Sequence, residues 1–157
     1  TYDKTSLYEM SYAFMRRFAF IRVPAPDLPR GDDEQSYDAL MDIMDQYVAA
    51  WDELDPSEAQ RRAVGRVWTH TNHAVEDRSI GPAIVYDLLA YITARHTSAN
   101  ELSTPLTEAV ISYIFPQLEG VPERTKIVAR IADVDAIDRD MLAAAARDML
   151  QVTLSDV

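Results

Sequence analysis

The sequence predicts a mainly α-helical protein: a helical bundle preceded by a short arm that contains one helix and one strand. Apolar residues recur every three to four positions through most of 33–157, the period of a helix with one buried face. Capping residues, prolines and glycines divide that region at intervals suited to helix ends. Alternating apolar side chains typical of a strand occur in one short stretch, 18–23. We therefore expect one helical domain over 33–157.

The arm, residues 1–23, begins with a capping-box pattern. Ser6 and Glu9 are spaced so that the serine hydroxyl can accept from the Glu9 amide while the glutamate reaches back. The strand predicted at 18–23 has no second strand in the sequence to pair with. Its backbone groups need a neighbouring sheet or another copy of the chain, and without either the arm is expected to be disordered. A stiff, proline-rich linker is predicted over 24–32.

The bundle is predicted to hold six helices, each recognised by its own start or stop signal. The first runs from about 33 to 54, and the second from a start at Asp55–Pro56 to about 74. The third is opened by Ser79–Pro82 and runs through Ile92, and the fourth runs from Thr104–Pro105 to a stop at Pro116. The fifth follows a turn at Gly120–Pro122 and ends at about 131, and the sixth runs from a cap at Asp135–Asp138 through Leu150. Four methionines fall on the apolar stripes and are predicted to fill the core: Met41, Met44, Met141 and Met149.

Composition narrows the class of protein. The 157 residues are 48% hydrophobic, enough for one domain with a core, and no run approaches the roughly 20 apolar residues of a membrane helix. The short apolar runs predict no membrane partner. The net charge of −11 predicts no direct contact with nucleic acid. The lack of cysteine fits a cytoplasmic location. Acid excess with almost no lysine favours a salt-adapted source over an ordinary acidic protein.

Two phrases in the arm resemble the AAA+ ATPases, most closely the MoxR/McrB-like branch. Thr1-Tyr-Asp-Lys-Thr-Ser6 is similar to the segment after the sensor-1 asparagine, and Arg16-Arg17-Phe-Ala-Phe20 is similar to the family's Arg-Arg-Phe-Ala-Phe. Shorter likenesses, Ser79-Ile-Gly-Pro82 and Phe115-Pro-Gln-Leu-Glu-Gly120, fall where the family has its helical lid. The resemblance implies that the chain is the C-terminal part of such an ATPase: a remnant of the core over 1–23 and the lid over 33–157.

The same resemblance implies roles for three arginines. Arg16, with Arg17 beside it, matches the arginine finger that contacts the nucleotide of a neighbouring subunit in a ring. The family often has a further arginine just ahead, where this chain has Met15, and an aspartate where it has Ser11. The alternative is that the pair only favours the negative end of its helix. Arg78 is the candidate sensor-2 arginine for the molecule's own nucleotide, although the family's usual position here is Ala83. The alternative for Arg78 is a surface ion pair with Asp77.

The function expected from the resemblance is coupling of NTP hydrolysis to remodelling of a protein client. The parent protein would bind ATP or GTP with Mg²⁺ in a ring, whereas this chain has no Gly-x-x-x-x-Gly-Lys-Ser/Thr loop and is predicted neither to bind the cofactor nor to hydrolyse ATP. The competing hypothesis is a free-standing acidic helical interaction domain without nucleotide chemistry.

His70 and His73 are the one pair of side chains spaced like metal ligands on a helix. Two histidines make half a zinc site, and no cysteine is present to complete it. We therefore expect no metal, and both histidines are predicted to be polar surface groups or caps at the end of the second helix.

Overall fold

The computed structural model describes residues 27–31, 33–51, 53–74, 79–95 and 101–154. Within these ranges the chain is a bundle of α-helices, as the sequence predicts. The helices are α1 Glu34–Ala50, α2 Glu58–Ala74, α3 Pro82–Ala94, α4 Ser103–Ala109, α5 Arg124–Ala132 and α6 Arg139–Leu150. A π-helical turn, Val110–Ile114, and a 3₁₀ turn, Phe115–Leu118, continue α4. The predicted arm lies outside the described residues, and so does its strand.

Helix α1 begins at an aspartate cap and ends earlier than predicted. The Asp33 carboxylate accepts from the Ser36 amide at 2.7 Å, and these hydrogen bonds to the charged form lower the pKa of Asp33. The helix ends at Ala50 rather than near 54. Trp51 follows it as the C-terminal cap and lies edge-on to Tyr86 of α3, with ring centroids 5.1 Å apart. An aromatic contact therefore fixes the end of α1 against α3.

The start of α2 corrects one prediction. We expected Asp55 to cap this helix with Pro56 in its first turn, but the helix begins at Glu58. Ser57 and Gln60 form the capping box instead: the Gln60 amide donates to Ser57 Oγ at 3.3 Å, and the Ser57 amide donates to Gln60 Oε1 at 2.8 Å. Asp55 and Pro56 precede the helix because the serine–glutamine pair satisfies two of its free amides.

The α3 start is confirmed and the predicted stop of the following helix is not. Pro82 is the first residue of α3, where its missing N–H costs nothing. Pro116 was expected to end the next helix, but the chain continues in a 3₁₀ turn to Leu118. The π-helical turn ahead of it makes this possible, since the Phe115 amide donates five residues back, to Val110. Pro116 therefore lies near the start of the 3₁₀ turn, where the backbone N–H that proline lacks is not needed for a hydrogen bond.

The last two helices follow the prediction apart from two methionines. A turn at Gly120, with φ 72°, leads into α5, and the Asp138 carboxylate accepts from the Met141 amide at 3.0 Å to start α6. Met149 was predicted to be buried but is 55% exposed, and Met141, predicted to fill the core as well, is half-buried. The buried stripe of α6 is Leu142, Ala146 and Leu150. The buried face of α6 is therefore narrower than the apolar pattern predicts, and it does not include the methionines at one side of that pattern.

The core surrounds α2, which packs against α1, α3 and α5. Its largest fully buried side chains are Trp68, Phe115, Leu40, Met44, Leu88, Leu89, Ile92, Leu106, Ile114, Leu118, Ile127 and Ile131. Burying each one stabilises the fold by about 1.5–3 kcal/mol before entropy is counted. Leu28 of the predicted linker is also buried, with 4% of its surface exposed. The described part of the linker is therefore packed onto the bundle.

Candidate functional site

The three arginines that the sequence singled out, Arg16, Arg17 and Arg78, lie outside the described residues. The described surface next to 75–78 is the junction where α2 ends and α3 begins. Three elements meet there: the C-terminal turns of α2, the residues 79–81 that precede α3, and the segment 27–31 that precedes α1. The candidate site consists of those elements and the exposed side of α2.

Two buried side chains of α2 form hydrogen bonds with the backbone amide and carbonyl of Ile80. Trp68 Nε1 donates to the Ile80 carbonyl at 2.7 Å, and Asn72 Nδ2 donates to the same oxygen at 3.3 Å. Asn72 Oδ1 accepts from the Ile80 amide at 2.7 Å. Asn72 has no exposed surface, and both the oxygen and the nitrogen of its side-chain amide have a hydrogen-bond partner inside the core. The sequence signal for this contact is a polar residue on an otherwise buried face of α2.

The segment 27–31 is fastened to the same junction. Leu28 anchors it in the core, and the Arg30 guanidinium donates to Ser79 Oγ at 3.0 Å. His73 Nδ1 lies 2.9 Å from the Arg30 carbonyl oxygen. Because a carbonyl oxygen only accepts, His73 carries its proton on Nδ1 in this contact. The start of α1 and the start of α3 are therefore held by the same end of α2.

His70 makes the corresponding contact to α5. Its Nδ1 lies 2.7 Å from the carbonyl oxygen of Arg130, and the Arg130 guanidinium lies 3.4 Å from His73 Nε2. Both histidines are partly exposed and lie near the end of α2, as predicted, and each one also joins α2 to another element. Among the described residues no cluster of three or more histidine, aspartate or glutamate side chains could hold a metal ion.

An arginine ridge, formed by Arg62 and Arg66, runs along the exposed side of α2. These residues are one turn apart, so their side chains lie on one face. Arg62 is paired with Glu58 at 2.5 Å, and Arg66 is paired with Glu34 of α1 at 3.2 Å. Exposed pairs of this kind are worth at most about 1 kcal/mol. Each guanidinium group can therefore leave its present carboxylate for another anionic group at a small cost in free energy.

A groove of about 540 Å³ lies between this ridge and α1. Tyr37 lies in it, with the Arg66 guanidinium carbon 3.6 Å from its ring centroid, and Met41 lines it beside the arginine pair. Burial raises the pKa of the Tyr37 hydroxyl despite the opposing effect of Arg66, so the phenol stays neutral. Asp45 pairs with Arg61 at 3.2 Å farther along. The groove therefore combines an apolar surface with charges of both signs.

A second groove, of about 390 Å³, lies on the other side of the ridge. His70 lines it together with the residues that follow α5, including Asp133 and Asp135. Both grooves share Arg62 and Arg66, so the ridge separates α1 from the α5 side of the bundle. The regular spacing of Arg62, Arg66 and His70 along α2 was visible in the sequence, but the grooves depend on neighbours that are distant in sequence.

A third polar cluster joins α3 to α4. The Tyr91 hydroxyl donates to a Glu108 carboxylate oxygen at 2.9 Å, and the Arg95 guanidinium donates to the same oxygen. These two donors hold the pKa of Glu108 below its usual range, and the contact with Glu108 raises the pKa of the Tyr91 hydroxyl. Glu108 is therefore a carboxylate and Tyr91 a neutral phenol at physiological pH. The cluster acts as a link between the two helices.

None of the helices in the described ranges has the length and apolar character that crossing a bilayer requires. Comparison with known proteins gave no match to a protein-family model, to a curated protein or to a solved structure.

Proposed function

We propose that this chain is the lid and arginine-finger portion of a MoxR/McrB-like AAA+ ATPase, which couples NTP hydrolysis to remodelling of a protein client. The observation that carries the proposal is the pair of phrases in the arm, Thr1-Tyr-Asp-Lys-Thr-Ser6 and Arg16-Arg17-Phe-Ala-Phe20, followed by a helical bundle. The helix start at Pro82, which directly follows the Ser-Ile-Gly phrase, is compatible with it.

In this proposal Arg16 acts across a subunit interface. Its guanidinium would stabilise the charge that develops on the phosphoryl oxygens of a nucleotide held by the neighbouring copy, with Arg17 as its interface partner. ATP or GTP and Mg²⁺ belong to the nucleotide-binding part of the parent protein, in the cytoplasm. Arg78 would contact the nucleotide of its own molecule.

The junction at Ile80 supports a mechanical role for α2 in this proposal. The end of α2 fastens both the segment that leads into α1 and the residues that start α3. A displacement of the chain next to Ile80 would therefore be transmitted to α2 through short, buried hydrogen bonds. Lid rotation in response to nucleotide state requires a rigid connection of this kind.

The test is ATP hydrolysis by the protein extended with its upstream coding sequence. Arg16→Ala and a variant with a disabled nucleotide-binding loop are each expected to be inactive alone, and their mixture is expected to regain activity because the finger acts in trans. Arg139→Ala, an exposed arginine at the start of α6, is the matched control and is expected to keep full activity. Normal hydrolysis by Arg16→Ala would refute the finger, and an upstream sequence without a nucleotide-binding loop would favour the interaction-domain hypothesis.

A further inference from the structure

The side chain of Met41 in α1 packs against the backbone of α2 at Gly65. A Cβ atom added to Gly65 would overlap Met41 Sδ, and the three atoms nearest to that position all belong to Met41, with Cγ and Cε at 3.6 Å. Because glycine has no side chain, the thioether can lie directly on α2 here. Gly65 is buried, so the contact belongs to the packing between the two helices.

Two ion pairs between α1 and α2 lie on either side of this contact. Glu34 pairs with Arg66 at 3.2 Å, and Asp45 pairs with Arg61 at 3.2 Å. Met41 falls between these two acidic residues along α1. Exposed ion pairs add little to stability, so apolar contacts such as that of Met41 hold this side of α1 against α2.

The Met41 thioether is also accessible to solvent. The side chain is half-buried and lines the groove of about 540 Å³ beside the arginine ridge. Other methionines of the described ranges give reference points for its exposure: Met44 has no exposed surface, and Met149 is 55% exposed. Met41 therefore combines access from the groove with a position between two helices.

An accessible thioether can be oxidised by a peroxide. A lone pair of sulfur attacks one oxygen of hydrogen peroxide, an S–O bond forms and the O–O bond breaks. The leaving hydroxide takes the remaining proton and departs as water, so sulfur loses two electrons and the peroxide gains two. The product is a polar, chiral sulfoxide, which favours water and the guanidinium donors of the groove over an apolar contact.

We propose that Met41 is a site of reversible oxidation, and that conversion of its thioether to the sulfoxide loosens the packing of α1 on α2. In the reduced state, the sulfur lies on Gly65. In the oxidised state, the sulfoxide turns into the groove and leaves the α2 backbone uncovered at this point. The inference goes beyond the proposed function and does not depend on nucleotide chemistry.

The contact with Gly65 also predicts the stereochemistry of the product. Helix α2 covers one side of the sulfur, so peroxide approaches from the groove and one of the two sulfoxide epimers is expected to predominate. Each epimer is reduced by its own methionine sulfoxide reductase. After proteolysis, when access no longer limits the enzymes, one reductase is expected to act on most of the oxidised Met41. The sulfoxide of the more exposed Met149 is expected to be divided between the two enzymes.

The test treats the 157-residue chain with hydrogen peroxide, locates the added oxygen by peptide mass spectrometry and measures stability by urea unfolding. Met149 is expected to react first, Met41 next, and Met44 only when the chain unfolds. Oxidation of Met41 is expected to lower the urea midpoint by about 0.5–1 M, because a polar group replaces an apolar one between the helices. The reductase that matches the predominant epimer is expected to restore the native midpoint.

Three variants separate Met41 from the other methionines and packing from chemistry. Met41→Leu keeps an apolar side chain of similar volume without sulfur, so its midpoint is expected to be insensitive to peroxide. Met141→Leu, a half-buried position on α6 outside the groove, is the matched control and is expected to stay as sensitive as the native chain. Met41→Gln places a polar group at the same position and is expected to lower the midpoint by a similar amount without peroxide.

Three outcomes would overturn the proposal. The first is a Met41 that reacts no faster than Met44, which would show that the groove does not admit the oxidant. The second is a midpoint that peroxide lowers in Met41→Leu as much as in the native chain. The third is an equal mixture of the two Met41 epimers, which would show that Gly65 does not cover the sulfur.

Discussion

Replacing Asn72 by alanine is expected to destabilise the bundle by about 2–4 kcal/mol. The change removes the acceptor of the Ile80 amide, at 2.7 Å, and one of the two donors to the Ile80 carbonyl. The carbonyl keeps Trp68, but the amide is left buried without a partner, which costs about 1–3 kcal/mol. The space left by the amide group adds about 1 kcal/mol.

Urea unfolding followed by circular dichroism measures this loss. With a typical slope for a small domain, the midpoint is expected to fall by about 1–2 M. Gln46→Ala is the control, because it removes a similar side chain from the exposed surface of α1 and is expected to change stability by less than about 0.5 kcal/mol. A loss below about 1 kcal/mol for Asn72→Ala would show that the Ile80 amide finds another hydrogen-bond acceptor. The inference that this junction is rigid would then fail.

Asn72→Asp separates the hydrogen bonds from the packing. The aspartate keeps the oxygen that accepts from the Ile80 amide, but its second oxygen would face the Ile80 carbonyl. Burial beside that carbonyl raises the pKa of the new carboxyl above its unfolded value, because the neutral acid can donate and the carboxylate cannot. The stabilisation is therefore present at acid pH and lost as pH rises through the folded-state pKa. A deficit that does not grow with pH would contradict the assigned contact.

Three further outcomes follow from other contacts. Thr107→Val should cost about 1–3 kcal/mol, because the Asp138 amide loses the Thr107 hydroxyl that accepts from it at 2.8 Å, and Thr107→Ser should recover most of the loss in the same urea assay. Gly81→Asp should raise the free energy of unfolding by about 0.5–1 kcal/mol, since the α3 N-cap has no side-chain hydrogen bond and its Cβ position is open. Glu108→Gln should have a small effect near neutral pH that fades as pH falls below the ordinary carboxyl range. Arg95 lowers the pKa of Glu108, so this contact stabilises the fold only while Glu108 is a charged carboxylate. Unfolding midpoints measured for both proteins over a pH series test this, and a difference between them that stays constant with pH would contradict it.

The helices could be predicted because their period and caps are local, and the errors mark where local signals compete. Asp55–Pro56 and Ser57–Gln60 are both valid starts for α2, and only the packed position of the helix selects the second. Met149 lies on a stripe adjacent to the buried one on α6, and a repeating apolar pattern does not say which side faces the core.

The site was harder to predict because its contacts join residues that are far apart in sequence. His70 reaches a carbonyl oxygen 60 residues away, and His73 reaches one 43 residues away. Spacing along one helix indicated a pair of surface imidazoles, and nothing in the sequence indicates which backbone oxygen each one meets.

The π-helical turn at Val110–Ile114 has a consequence for the ancestry of the chain. Its wider turn places one more residue between Ala109 and Phe115 than a regular α-helix would need. A related protein that lacks one residue in this stretch would form an uninterrupted helix and keep both flanking faces buried as they are here. Two related sequences that differ by one residue in this stretch can therefore adopt the same fold. To detect such a relationship, the apolar patterns on the two sides of the turn should be aligned separately, with a one-residue gap allowed between them.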